Sequence, residues 1–263
     1  MEETIQVLVC HVPIRPVDCL VRTLDSLRVA SASRDVVVQV VVQGPCDHEL
    51  PPGGIWPEDR FSVHYAYNDR NTGVAQPLAE HTKTWIDMGS SSSYWAKVDD
   101  DVVLRPGAFD LMLHVIVEAG RRGYQVGCCQ MNVAGAQAIL LSAEYGQLKR
   151  TGGWHQEFKC GPWTARVVDA VGTGSTIFTP LPFQQGCRFE PSYVIGGVDV
   201  DMSWQMTNKQ IRSILVDAPG NVHDLAGCSS SAYHKVRWNP KSINKSGETF
   251  RRRWGIVDPC LKR

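Results

Sequence analysis

Apolar positions along the first hundred residues switch between two spacings. Ile5 to Val12 reads as an apolar strand, and the β-branched run Val36 to Val42 suits a strand buried on both faces. Between them Val17, Leu20, Val21, Leu24 and Leu27 recur at helical intervals, which predicts a helix over Val17 to Val29. Phe61 to Tyr67 predicts a further strand, Ala75 to Met88 a helix, and Tyr94 to Val98 a strand that runs into three aspartates. After the turn Arg105-Pro106-Gly107 a helix is expected from Ala108 to Glu118. The stretch from Gln125 to Pro182 is rich in glycine and aromatics and reads as less regular. Val194 to Val198 predicts a strand that leads through Asp199-Val200-Asp201 into a helix ending at Asn208, and Ile211 to Val216 predicts one more strand. Alternating strands and helices imply an α/β sheet flanked by helices, and with no repeat or linker in view a single domain is the simplest organisation.

Composition changes this picture little. With 43% hydrophobic and 21% charged residues over 263 positions, the chain can bury a large core. No apolar run approaches the roughly eighteen residues of a membrane span. The N-terminal MEETIQVLVC carries acidic residues where a secretory signal would be basic, so a cytoplasmic protein with no membrane partner is expected. Nine cysteines without a CxxC pair argue against a zinc ribbon or redox motif, and free thiols are expected.

Charge is more informative than its zero total. From His234 onward there are nine Lys and Arg against Glu248 and Asp258, so the last thirty residues carry +7 and the rest −7. Such asymmetry suits an anionic partner near the C-terminal segment, either a nucleotide pyrophosphate or a nucleic acid; a solvated basic tail is the plainer alternative.

Three acidic or imidazole features need a common explanation: Asp99-Asp100-Asp101, the pair Asp199 and Asp201, and His223 in NVHD. Hard divalent cations favour carboxylate oxygen, and Mn²⁺ also accepts imidazole. Alternate positions such as Asp99 and Asp101 can face one side of an extended segment. The run lacks the glycine and distal glutamate of an EF-hand loop. Taken singly, a short Asp run is more often a solvated loop and a lone histidine usually a structural one.

From IQVLVCHVPIRPVDCLVRTLDSL through KVDDDVVLRPG to YVIGGVDVDMSWQM and FRRRWG, the chain resembles GT-A fold glycosyltransferases, most similarly those of the family 2 type. The resemblance implies a Rossmann-like mixed sheet flanked by helices in one domain. It divides the chain into a nucleotide-sugar-binding half (1–107), an acceptor and catalytic half (108–233) and a basic C-terminal segment (234–263). It makes Asp99 and Asp101 the metal-binding DxD pair with His223 as a third ligand, and Asp100 a contact to the nucleotide sugar. Asp199 falls at the general-base position, with Val198 in place of the usual glutamate, and Asp201 beside the acceptor. Tyr67 to Gly73 looks like the segment bordering the nucleotide, which brings in Arg70, Asn71 and Gly73. Gln43 stands where relatives carry a base-reading carboxylate, so a UDP-sugar donor is implied by family habit alone.

The implied activity is a Mn²⁺- or Mg²⁺-dependent, inverting transfer of a sugar from a nucleoside diphosphate to an acceptor hydroxyl. Gly152-Gly153 and Gly172 to Ser175 have the small residues that let a backbone approach a ligand, which places Gly174 at the nucleotide sugar. Trp154 and Trp163 offer aromatic faces to an acceptor. Lys235, Arg237 and Arg252 could cover a diphosphate or another anion. The acceptor is left open between a saccharide and a hydroxymethylated pyrimidine in DNA, for which Tyr233, Trp238 and Trp254 would supply stacking faces. A sugar nucleotidyltransferase would need a glycine-rich, lysine-bearing N-terminal loop that VCHVPIRPVD does not provide; a non-catalytic sugar-nucleotide-binding module on the same fold is the third alternative.

Overall fold

The computed structural model describes residues 4–89, 93–132, 138–223, 235 and 239–261. The first half follows the predicted order closely: β1 (Thr4–His11), α1 (Val17–Arg28), β2 (Asp35–Gln43), β3 (Gly54–Trp56), β4 (Phe61–Asn68), α2 (Ala75–Asp87), β5 (Tyr94–Asp99), β6 (Val102–Val103) and α3 (Ala108–Arg121). The middle is more regular than its composition suggests. It holds β7 (Val126–Met131), β8 (Ile139–Glu144), β9 (Gln147–Gly152), β10 (Gln156–Cys160), β11 (Trp163–Val168), β12 (Ser175–Phe178) and the short α4 (Leu181–Gln184). The chain continues through α5 (Val198–Asn208), β13 (Arg212–Asp217), β14 (Val222–His223) and α6 (Pro240–Trp254). The order β10-β11-β13-β7-β12-β5-β1-β2-β4-β3 forms a ten-stranded mixed sheet.

In this sheet β5, β1, β2 and β4 run parallel, so His11, Gln43, Asn68 and Asp99 all end at one edge. β12 pairs antiparallel with β5 and joins the second half of the chain to the first. Strand alternation decides which side chains meet which helices. Ile5, Val7 and Val9 face the layer holding Leu20, Leu24 and Leu27 of α1 and Phe109 and Met112 of α3, whereas Leu8 faces α2, α5 and α6. That second layer centres on aromatic rings: Trp95 lies 5.4 Å from Phe178 and 5.6 Å from Phe189, centroid to centroid.

Two expectations are corrected. The strand predicted at Val194 to Val198 does not form, and Asp199 and Asp201 sit instead in the first turn of α5. Gly196 (φ 68°) and Gly197 (φ 82°) adopt the left-handed conformation that ends an extended run and turns the chain into the helix. Cys19 is disulfide-bonded, whereas Cys10, Cys46, Cys128, Cys129, Cys160, Cys187 and Cys260 are free as expected. Sequence spacing carries no information about which thiols a fold brings together.

Trp95 donates its indole N–H to Nδ1 of His81 at 2.7 Å, and burial lowers the His81 pKa to about 4. Protonating His81 costs the fold both a desolvated charge and an acceptor. A histidine with a depressed folded pKa contributes stability that is present above its unfolded value and lost as pH falls towards the folded one. Stability should therefore decline between pH ~6.5 and ~4 by up to about 3 kcal/mol from this group, and His81→Leu should flatten that part of the profile in urea titrations across pH.

Candidate active site

The three aspartates end β5 at the carboxyl edge of the parallel strands, and each is held differently. Asp99 keeps 35% of its side chain exposed and accepts from the Lys97 ammonium, which is buried one pleat earlier on the same strand. Asp100 is buried against Nδ1 of His11 at 2.9 Å and against the Arg15 guanidinium. Asp101 is also buried, and Nη1 of Arg15 lies 2.9 Å from its carboxylate. Arg15 thus clamps two neighbouring carboxylates whose repulsion would otherwise open the turn. Desolvation lowers the Lys97 pKa, and Cys10, Asp199, Asp101 and Asp100 act in the opposite direction.

Asp199 reaches this cluster through the loop between β11 and β12. Thr173 donates its hydroxyl to Asp199 at 2.7 Å, while the next residue, Gly174, accepts the Asp99 backbone N–H at 2.8 Å. A Cβ on Gly174 would lie 2.8 Å from Oδ2 of Asp99, so glycine is needed there for the carboxylate to pack against the loop. Two acidic motifs a hundred residues apart consequently meet across Thr173-Gly174. As a first-turn residue of α5, Asp199 also faces the favourable end of the helix dipole.

His223 arrives by strand pairing: β14 runs antiparallel to β6, setting its backbone opposite Val102, one residue past Asp101. Asn221 fixes this approach by accepting the Arg105 backbone N–H at 2.9 Å. Four carboxylates, Asp99, Asp100, Asp101 and Asp199, thus surround Arg15 and Lys97, which offset two of the negative charges. The remainder matches a divalent cation in charge, and carboxylate oxygen matches it in hardness. Among the described residues no three His, Cys, Asp or Glu side chains come together in a group that could by itself hold a metal ion. That is the ordinary situation for a cation that completes its shell with water and substrate phosphate.

Other expected residues are placed elsewhere or for other reasons. Asp201 points inward: it accepts from Trp254 Nε1 at 2.6 Å, Gln205 Nε2 at 2.8 Å, Arg253 Nε at 3.1 Å and the Tyr193 hydroxyl at 3.2 Å. Burial raises its pKa against those donors, and its geometry is that of an anchor for α6. Arg252 and Lys235 are exposed, and Arg237, like Tyr233 and Trp238, lies outside the described residues. Trp163 packs on the α1 and α3 side of the sheet under Arg105, on the face opposite α5. Trp154 is 48% exposed, with the Arg166 guanidinium 4.8 Å from its ring.

Arg70 and Asn71 are exposed beside the end of β2, where Asn71 Oδ1 accepts the Gly73 N–H at 2.9 Å. Gln43 is buried and accepts from Thr72 N and Oγ1, each at 3.1 Å, locking this loop onto β2. His11, Arg15 and Lys97 were not singled out from sequence, and Thr173 only as a member of the small-residue stretch Gly172 to Ser175. Their only signal there was polarity inside or just after apolar runs, which pairing across the fold makes meaningful.

No protein-family model matches this sequence, and no curated protein matches it. Solved structures do resemble the fold. The mannosyltransferase PcManGT from Pyrobaculum calidifontis, in complex with GDP-Man and Mn²⁺, superimposes with a TM-score of 0.54 at 14% identity, over 100% of this chain and 68% of that one. GalNAc-T7 with UDP, GalNAc and Mn²⁺ gives 0.56 at 12% identity over 98% and 56%. S. aureus TarS gives 0.53 at 10% identity over 97% and 44%, so the chain spans from under half to about two thirds of these proteins.

Gly73 (φ 79°) lies so close to the chain before α5 that a Cβ would sit 2.5 Å from the Val194 carbonyl oxygen. Gly73→Ala should cost about 1–3 kcal/mol in chemical denaturation, because backbone oxygen cannot move aside as a flexible side chain can. The alternation of its elements, its mixed sheet and these superpositions identify the fold of this chain as that of GT-A-type glycosyltransferases.

Proposed function

We propose that the protein is a metal-dependent, inverting glycosyltransferase that moves a sugar from a nucleoside diphosphate to an acceptor hydroxyl. The observation that carries this reading is the junction at Thr173-Gly174, where Asp99 and Asp199 approach the same loop from opposite ends of the chain. The site lies at the carboxyl ends of parallel strands, where α/β sheets collect ligands. PcManGT and GalNAc-T7 carry GDP-Man or UDP with Mn²⁺, which supports a nucleotide-sugar donor and a divalent cation here.

In this reading Asp199 takes the proton from the acceptor hydroxyl as that oxygen bonds to the sugar C1. The C1 to phosphate-oxygen bond breaks on the opposite face, its electron pair leaves with the nucleoside diphosphate, and configuration at C1 inverts. Thr173 orients Asp199 by donating to Oδ1, so the proton passes to the other oxygen. Asp99, Asp101 and His223 would hold Mn²⁺ or Mg²⁺, which when bound offsets the charge building on the departing diphosphate. Arg15 and Lys97 hold the carboxylates of the acidic turn in place. Gly174 lets Asp99 lie flush with the loop, and Arg70 and Asn71 border the nucleotide from the other strand end.

The acceptor divides into two cases. A saccharide would use the exposed ring of Trp154. A hydroxymethylated pyrimidine in DNA is favoured by the exposed surface of α6, where Lys241, Lys245, Arg251 and Arg252 stand beside a single acidic residue, Glu248. No helix among the described residues is long and apolar enough to cross a membrane.

Nucleoside diphosphate release, measured over a panel of nucleotide sugars with Mn²⁺, should be stimulated by one acceptor class. Addition of DNA containing 5-hydroxymethylcytosine, with a matching mass gain on the base, separates the two cases. Asp199→Asn should reduce transfer roughly 10³-fold with an unchanged melting profile. Asp99→Asn should remove the metal response, and activity persisting in chelator-treated protein would sink the metal assignment. Asp101→Ala should lose about 3–5 kcal/mol of stability as well as activity, since it strips a buried guanidinium of a partner.

A further inference from the structure

Helix α6 carries its charge on one exposed side. Ile243, Ser246, Thr249 and Phe250 pack inward, which leaves Lys241, Lys245, Glu248 and Arg252 in solvent one turn apart. At 3.6 residues per turn these positions fall within a wedge of about 60° and extend over about 16 Å, with Arg251 exposed on the flank. Arg253, by contrast, turns inward to Glu190 and Asp201. Among the described residues no carboxylate lies within ion-pair distance of Lys241, Lys245, Arg251 or Arg252. The fold gains nothing from the two lysines: Lys241 sits in the first turn, where the helix dipole disfavours a cation, and Lys241 and Lys245 repel each other across one turn.

At the arginine end of this helix stands the hairpin of β8 and β9. Gly146 accepts the Val257 backbone N–H at 2.9 Å and Leu148 donates to the Val257 carbonyl at 2.8 Å, which holds the turn Tyr145-Gly146 against the segment leaving α6. Tyr145 is fully exposed, and at φ 49° it occupies a left-handed position that a two-residue turn normally gives to asparagine, aspartate or glycine. A bulky aromatic residue there strains the backbone and buries no apolar surface in return. The exposed charges of the hairpin, Glu144 and Lys149, cancel, so it brings a ring and no net charge to the end of the basic helix.

We infer that this face binds nucleic acid, with α6 against the phosphate backbone and Tyr145 stacked on an unpaired base. Cations on a rigid helix match a polymer that carries one charge per nucleotide, and about 16 Å spans roughly five nucleotides at the ~3.4 Å per strand of stacked DNA. The exposed ring adds what charge alone cannot, a flat face on which any base can stack. An anionic membrane matches less well: it would need apolar side chains on the exposed side of α6, and Ile243 and Phe250 point the other way. The surface adjoins the proposed active site, since Trp254 and Arg253 at the end of α6 grip Asp201, two residues from Asp199. Binding here lies outside the acidic turn and goes beyond the glycosyltransferase reading, because it needs no nucleotide sugar.

Fluorescence anisotropy of the intact protein with a labelled single strand of about twelve nucleotides, between ~50 and ~200 mM salt and without metal or nucleotide sugar, tests this directly. The logarithm of Kd should rise with that of the salt concentration at a slope of about 2–3, and the double variant Lys241→Ala, Lys245→Ala should lower the slope by about 1–1.5. Tyr145→Asn, which keeps a residue suited to the left-handed turn, should weaken binding about tenfold at an unchanged slope, with a melting temperature no lower than that of the unaltered protein. An abasic strand of the same length should bind the unaltered protein about tenfold more weakly, and Tyr145→Asn should cost nothing further on it. Absence of binding at ~50 mM salt, a slope that the lysine substitutions leave unchanged, an abasic strand bound as tightly as the normal one, or phosphatidylserine vesicles bound as tightly as the strand would each overturn the inference. None of these outcomes touches the glycosyltransferase reading, which nucleoside diphosphate release tests separately.

Discussion

The arrangement of this molecule turns on one electrostatic problem: how to keep four carboxylates together at the end of a sheet. Asp99, Asp100 and Asp101 are consecutive, Asp199 is brought beside them, and two of the four are almost completely buried. Unpaired, such a group would be expelled into solvent or neutralised by protons. Arg15 and Lys97 prevent this from inside the protein, each buried and each bonded to the acidic turn. The residual negative charge suits the divalent cation of the proposed reaction.

Much of the remaining structure holds that cluster in register. β1 delivers His11 and, just beyond its end, Arg15; β5 delivers Lys97 and the aspartates; the antiparallel pairing of β12 with β5 sets Gly174 against Asp99. From the other side, Gly196 and Gly197 turn the chain so that Asp199 starts a helix. Asp201, two residues on, is tied to Trp254 and Arg253 at the end of α6. The basic C-terminal helix is therefore attached to the same helix that carries the proposed base. Tethering of this kind means that loss of α6 would disturb Asp199 through Asp201.

Two directions of contact leave the same cluster. The proposed catalytic carboxylate faces the loop at Thr173, while the contact from His11 to His48 leaves the cluster in another direction, towards Tyr65 and Tyr67 of β4. One buried turn thereby orients groups on both sides: the His11–His48 pair through Asp100 and a part-exposed carboxylate at Asp99.

What could be read without coordinates was whatever local periodicity controls. Buried parallel strands are continuous apolar runs and amphipathic helices have a fixed repeat, so the elements from β1 to α3 were legible, as was the aspartate turn that follows β5. The middle strands were not, because β7 and β12 bury Gly, Cys, Ser and Thr among their apolar residues, while β8, β9 and β10 are short and largely exposed. The helical start at Val198 was also missed, since a valine run reads as a strand unless the left-handed glycines before it are given their weight. Asp201 has the same residue type and nearly the same position as Asp199, yet one is an anchor and the other faces the site. A first-turn helix position two residues on points about 200° away, and only packing against α6 decides which direction is inside. Sequence alone determined the fold class and the acidic motifs, because these depend on neighbours along the chain. Tertiary structure alone decided the partners of Asp100, the meeting of Asp99 with Asp199 and the orientation of His48, because each depends on groups brought together from distant strands.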